Sequence, residues 1–118
     1  MRRRAFMKVV AGSAIVAAVP FLWPSSGLSQ GAGSFADGNR IYSACGGTDG
    51  MELSYCAGYV AGVADALAAT GHACLPADVS VQQAVDAVMK YLKEHSEQRQ
   101  YPAWYIGRTA LSLRFPCN

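Results

Sequence analysis

The sequence predicts an all-α protein, a small four-helix bundle stapled by two disulfides. Three observations carry that expectation. Beyond residue 34, apolar residues recur at steps of three and four in four successive segments, with no strand pattern of any length between them. All four cysteines, Cys45, Cys56, Cys74 and Cys117, lie in that part of the chain. What remains after the leader is also small enough that one core is marginal and covalent staples help.

The leader comes first. Arg2, Arg3, Arg4 and Lys8 open the chain with no acid among them, an apolar run follows from Val9 to Leu22, and Pro24-Ser25-Ser26-Gly27-Leu28-Ser29 is small and polar. That order is the layout of a secretory signal peptide. The apolar run is shorter than the roughly 20 residues a membrane span needs. It also contains Gly12, Ser13 and Pro20, so cleavage near Ser29 is expected rather than anchoring. Arg3-Arg4-Ala5-Phe6-Met7-Lys8 resembles the twin-arginine export signal. This reading is preferred to a general secretory signal that happens to be rich in arginine. By either route the mature protein is expected in the periplasm. The organisation is then a signal peptide over 1–29, a flexible lead-in over 30–34 and a helical domain over 35–118.

Charge divides the same way. The full chain carries 10 Lys and Arg against 8 Asp and Glu. Four of the ten lie in the leader, leaving six against eight and a net charge of −2 in the mature part. The pI of 8.4 therefore belongs to the targeting peptide. Nucleic acid and acidic membranes call for a basic patch, and the mature part supplies none, so neither partner is expected.

Within the domain, Ile41, Tyr42 and Cys45 predict a short first helix between Phe35 and Cys45, broken by Gly46-Gly47-Thr48-Asp49-Gly50. A second helix is expected from about Met51 to Thr70, with Cys56, Tyr59, Val60, Val63 and Leu67 as its apolar stripe. Gly58 and Gly62 lie on a neighbouring face with Asp65. Glycine inside a helix costs up to about 1 kcal/mol against alanine, so the pair is expected to mark the close approach of another helix. Asp65 is then either a hydrogen-bond acceptor at that seam or a solvated carboxylate.

Gly71 is expected to end the second helix in the left-handed conformation. After the loop His72 to Val79, Ser80 and Gln83 predict a capping box for a third helix reaching about His95. Val81, Ala84, Val85, Val88 and Leu92 should face inward. Ser96 to Tyr101 reads as a polar connector. Pro102 opens the fourth helix, where proline is tolerated; Ile106, Ala110 and Leu113 should face inward, and Pro116 stops it. Short links between four helices indicate a bundle.

An even cysteine count in an exported small domain favours disulfides. No Cys-x-x-Cys pair of the kind common in zinc and iron–sulfur sites is present, and no metal or other cofactor is expected. Cys56 and Cys74 lie 18 residues apart along the second helix and its cap. At 1.5 Å per residue that is about 27 Å, far beyond the roughly 6 Å a disulfide tolerates. Antiparallel neighbours bring Cys45 to Cys56 and Cys117 to Cys74, so the expected bonds are Cys45–Cys56 and Cys74–Cys117. Loop-closure entropy puts their contributions at about 3 and 4 kcal/mol as upper values.

No catalytic set stands out. His72 and His95 lie in or beside loops, and there is no nucleophile elbow, phosphate loop or His-Glu-x-x-His helix. The segment Glu94 to Tyr101 leads into Trp104 and Tyr105, and Tyr, Trp and Arg are common interface anchors. Glu97, Arg99, Tyr101 and Trp104 are the candidate partner-binding residues. Of Trp104 and Tyr105, one is expected to complete the core and the other to face outward.

Several motifs together resemble the Rap/Tai immunity proteins of type VI secretion. They are Phe35-x-x-Gly38-Asn39 with Cys45, Tyr55-Cys56-x-Gly58-Tyr59-x-x-Gly62-x-x-Asp65-Ala66, and Cys74-Leu75-Pro76. The second half adds Val88-x-Lys90-Tyr91-Leu92, His95-x-Glu97, Pro102-Ala103, Ala110-Leu111 and Phe115-Pro116-Cys117. Ser96 departs from the family, which often has proline there, and is expected to loosen the connector. The resemblance implies a periplasmic, often homodimeric helical protein that binds and blocks a peptidoglycan amidase effector. It carries over no catalytic residues, and the protein is expected not to be an enzyme. The alternative is a periplasmic stress chaperone or structural protein of the same fold; a third, weaker one is a cofactor-carrying or enzymatic protein.

Overall fold

The computed structural model describes residues 33–118. The signal-peptide reading of residues 1–29, the cleavage point near Ser29 and most of the 30–34 lead-in fall outside the described residues. Within them the architecture is all-α, with four α-helices and no strand among the described residues.

Helix α1 spans Gly38–Gly46 and begins three residues later than expected. Asp37 sets that start, because its carboxylate accepts the Arg40 N–H at 2.8 Å. Helix α2, Gly50–Ala69, is capped by Asp49, which accepts from the N–H groups of Met51 and Glu52. Gly71 ends it as expected, at φ 76°. His72 N–H bonds Leu67 O and Gly71 N–H bonds Ala68 O, the paired bonds of a Schellman close. Helix α3, Val81–Glu94, has both halves of the Ser80/Gln83 capping box. Helix α4 spans Ala103–Arg114, with Pro102 immediately before it rather than inside it.

Each helix packs on the other three, and Cys56, Leu92, Ile106 and Leu111 are the largest fully buried side chains. Truncating a buried leucine to alanine costs about 2–5 kcal/mol, so Leu92 and Leu111 anchor the bundle. Both disulfides pair as expected, Cys45 with Cys56 and Cys74 with Cys117, each with its Cα atoms 5.1 Å apart. The second holds the C-terminus to the far end of α2, assisted by Cys74 N–H donating to Phe115 O at 2.8 Å.

Several inner-face expectations change. Leu113 is 70% exposed and Leu111, at 0%, takes its place in the core. Val81 is exposed in the first turn of α3, whereas Ala84, Val85, Val88 and Leu92 are buried. Ala44 and Ala64 join the core, while Tyr42, Cys45, Tyr59 and Val63 are only partly buried against it.

The glycine expectation is also overturned. A Cβ at Gly58 or Gly62 would meet nothing within 4 Å, and both residues are exposed, as is Asp65. No helix approaches them among the described residues, and Asp65 is the solvated alternative. The crowded glycine is Gly38, at the first turn of α1. A Cβ there would lie 2.5 Å from Ile106 Cδ1, 2.7 Å from Arg99 O and 2.9 Å from Arg99 Cα. Gly107 is the second close point, against Val63 Cγ1 at 3.1 Å.

Candidate protein-binding surface

The connector between α3 and α4 begins where α3 runs out of helical hydrogen bonds. His95 caps it, with its N–H on Tyr91 O at 2.9 Å and its Nδ1 also 2.9 Å from that oxygen. The His95 ring stacks on Tyr91 at 4.0 Å between centroids. A 3₁₀ turn, Ser96–Gln98, follows, and Tyr91 OH donates to Gln98 Oε1 at 2.7 Å. Burial is the main cause that pushes the Tyr91 phenol above its ordinary range, with the nearby Tyr105 adding to it.

The start of α1 then grips the rest of the connector. Gly38 N–H donates to Tyr101 O at 2.9 Å and Asn39 N–H to Arg99 O at 2.8 Å. Ala103 N–H, an orphan donor at the head of α4, bonds Ala36 O at 2.9 Å.

The four candidate residues run from the 3₁₀ turn to the first turn of α4 and differ in what they can do. Glu97 is exposed in the 3₁₀ turn. Tyr101 is exposed and meets Tyr105 edge-on at 5.9 Å. Trp104 meets Tyr105 in the same manner at 6.1 Å. Trp104 is 46% and Tyr105 42% exposed. Neither completes the core, which corrects the expectation that one of the two would. Arg99 is instead half-buried and turned inward. Its Nε donates to Leu92 O at 2.9 Å and its guanidinium lies 3.7 Å from the centroid of the Tyr42 ring.

Two further groups beside this segment, Phe35 and Arg40, are not among the candidate binding residues the sequence offers. Phe35 is fully exposed and shares a shallow groove with Asp37, Arg40, Gln100 and Pro102. Arg40 makes a bidentate pair with Glu52 at 2.9 and 3.0 Å and sits 4.2 Å over the Tyr55 ring. The hydrogen bond to Glu52 raises the Arg40 pKa further. A lone Phe at a domain edge and an Arg–Glu pair twelve residues apart have no local pattern, so periodicity could not find them.

Chemistry offers less. All four cysteines are bonded, and no group of three metal-ligating side chains gathers among the described residues. A family model of the Rap1a immunity proteins matches residues 37–117. The chain belongs to the Rap1a immunity protein family. No curated protein matches it. The Rap1a match begins at Asp37, the cap of α1, and ends at Cys117, so it takes in both disulfides, all four helices and the connector. Membership implies an immunity protein that binds a secreted protein effector. No helix among the described residues is long and apolar enough to cross a membrane.

Proposed function

We propose that the protein is exported to the periplasm and there neutralises a peptidoglycan amidase delivered by type VI secretion. It acts by binding over the amidase active site, without chemistry of its own. The observation that carries the reading is the Rap1a match across nearly the whole helical domain. Two disulfides in a small domain favour an oxidising compartment, in keeping with the signal-like leader.

The proposed contact surface is the connector and the first turn of α4, with Glu97, Tyr101 and Trp104 touching the amidase and Tyr105 backing the aromatic pair. Exposed Trp and Tyr give large rigid contact area, the usual source of interface energy. Arg99 supports this surface from behind. A homodimer is part of the same reading, checked by sedimentation of the mature protein.

The test is co-expression in the periplasm with the amidase-like effector encoded beside the gene. Survival of cells that otherwise lyse is the expected result. Lysis despite an intact, folded and disulfide-bonded protein would overturn the reading. Protection of aggregating client proteins in place of rescue would favour the chaperone alternative.

A further inference from the structure

A polar connector without a core of its own should be loose, and the Ser96 departure sharpens that expectation. The structure instead ties it to two helices, and Arg99 is the connector residue that reaches both. The Arg99 side chain bonds the last turn of α3 through Leu92 O and stacks on Tyr42 of α1. Its backbone carbonyl accepts the Asn39 N–H, and two residues on the Tyr101 carbonyl accepts the Gly38 N–H. Side chain and main chain therefore both engage α1, and the side chain also engages α3. Lysine could not do both, because it lacks the planar group that stacks while its Nε donates.

We propose that Arg99 is a positioning residue, a brace between α1 and α3 that fixes in one conformation the connector leading into α4, and so presents Tyr101, with Trp104 in the first turn of α4, preformed to the protein partner. The partner half rests on the reading above; the brace does not. A segment ordered before binding loses less conformational freedom on docking, so the brace should act chiefly on how long the complex lasts.

Hydrogen exchange on the mature protein tests the brace directly. Hydrogen bonds from charged donors are strong enough that losing one opens its neighbours about tenfold or more. Arg99→Lys and Tyr42→Ala should therefore speed exchange of the Gly38, Asn39 and Tyr101 amides at least about tenfold relative to those of Ala110 and Leu111. Tyr42→Phe keeps the ring and should leave these amides protected. Equal acceleration in α4, or none at the connector, overturns the brace and reduces Arg99 to a general contributor to stability.

The second arm uses the amidase that the unaltered chain neutralises. Arg99→Lys should raise the dissociation rate about tenfold with the association rate unchanged. Loosened amides with unaltered dissociation would overturn the presentation of Tyr101 and Trp104 to the partner. If the unaltered chain binds no amidase, the proposed function fails, and the exchange result still decides the brace.

Discussion

Two glycine sites in this bundle look alike in composition and are opposite in physics. At Gly38 the backbone of α1 runs against the connector so closely that even a methyl group has no room. At Gly58 and Gly62, one turn apart on α2, a methyl group would meet only solvent. The spacing of the second pair invited the expectation of a close helix contact, yet the contact belongs to the first. Crowding at a glycine is a tertiary property, and an i, i+4 repeat describes only which residues share a face.

The sharpest way to break the contrast is Gly38→Ala. The added Cβ would strike the main chain of Arg99, which cannot swing aside as a side chain could. Relief requires moving the connector and straining the Gly38–Tyr101 and Asn39–Arg99 hydrogen bonds. Overpacking alone costs about 1–3 kcal/mol, and each weakened bond adds about 1 kcal/mol. The expected loss is about 3 kcal/mol, seen as a fall in Tm of more than about 10 °C. A Tm within a few degrees of the unaltered protein would mean that the seam yields easily and is no clamp.

The opposite sign is expected on α2. Gly58→Ala and Gly62→Ala should each stabilise by about 0.5–1 kcal/mol, because alanine removes the entropic penalty of helical glycine and touches nothing. Together they should raise the urea midpoint with the slope unchanged. Neutralisation of the amidase should be unaffected if the partner docks on the connector. A stable double variant that no longer protects cells would move the interface to the outer face of α2.

Gly107→Ala lies between these extremes. The new methyl would press Val63 Cγ1 at 3.1 Å, and a helical valine has one strongly preferred rotamer and cannot turn away freely. The squeeze offsets the gain in helix propensity. A net loss of about 1 kcal/mol is expected, smaller than at Gly38 because a side chain rather than a backbone must give.

The same distinction explains what was legible in the sequence. The start of α3 and the end of α2 are legible, because Ser80, Gln83 and Gly71 act on backbone groups within a few residues, whereas the Asp37 cap that delays α1 is not. The disulfide pairing followed from helix length and antiparallel links. The inner face of α4 did not read, because two stripes compete on it. Ile106, Ala110 and Leu113 form one; Ala103, Ile106, Gly107, Ala110 and Leu111 form the buried one. Gly107 resolves the choice, since its missing side chain lets Val63 of α2 lie against that flank. Residue type alone makes Arg99 a candidate partner contact, whereas its contacts to Tyr42 and Leu92 are tertiary and leave no pattern in the sequence.

The smallest expected effect concerns pH, and it separates the braced seam from the solvated surface beside it. Glu94, in the last turn of α3, accepts a hydrogen bond from Lys90 at 2.7 Å. That bond is the main cause holding its carboxyl below the ordinary value of 4.5; the charges of Lys90 and His95 act in the same direction, and slight burial opposes them. A carboxyl depressed by folding contributes stability above its unfolded value and loses it as the pH falls through the folded one. The contribution is therefore complete at neutral pH and fades below about pH 4.5. In Glu94→Gln this part of the acid sensitivity should vanish, a slight flattening of Tm against pH between about 5 and 3 relative to the unaltered chain. The pair is exposed and screened by salt, so the difference should shrink further at high ionic strength. The seam should respond otherwise. Its bonds from Gly38, Asn39 and Arg99 end on carbonyl oxygens that do not titrate, so the Gly38 and Asn39 amides should keep their relative protection across that range. If Glu94→Gln instead removes most of the acid sensitivity and releases those amides, the connector depends on a surface carboxylate, and the brace is not the self-contained device its geometry describes.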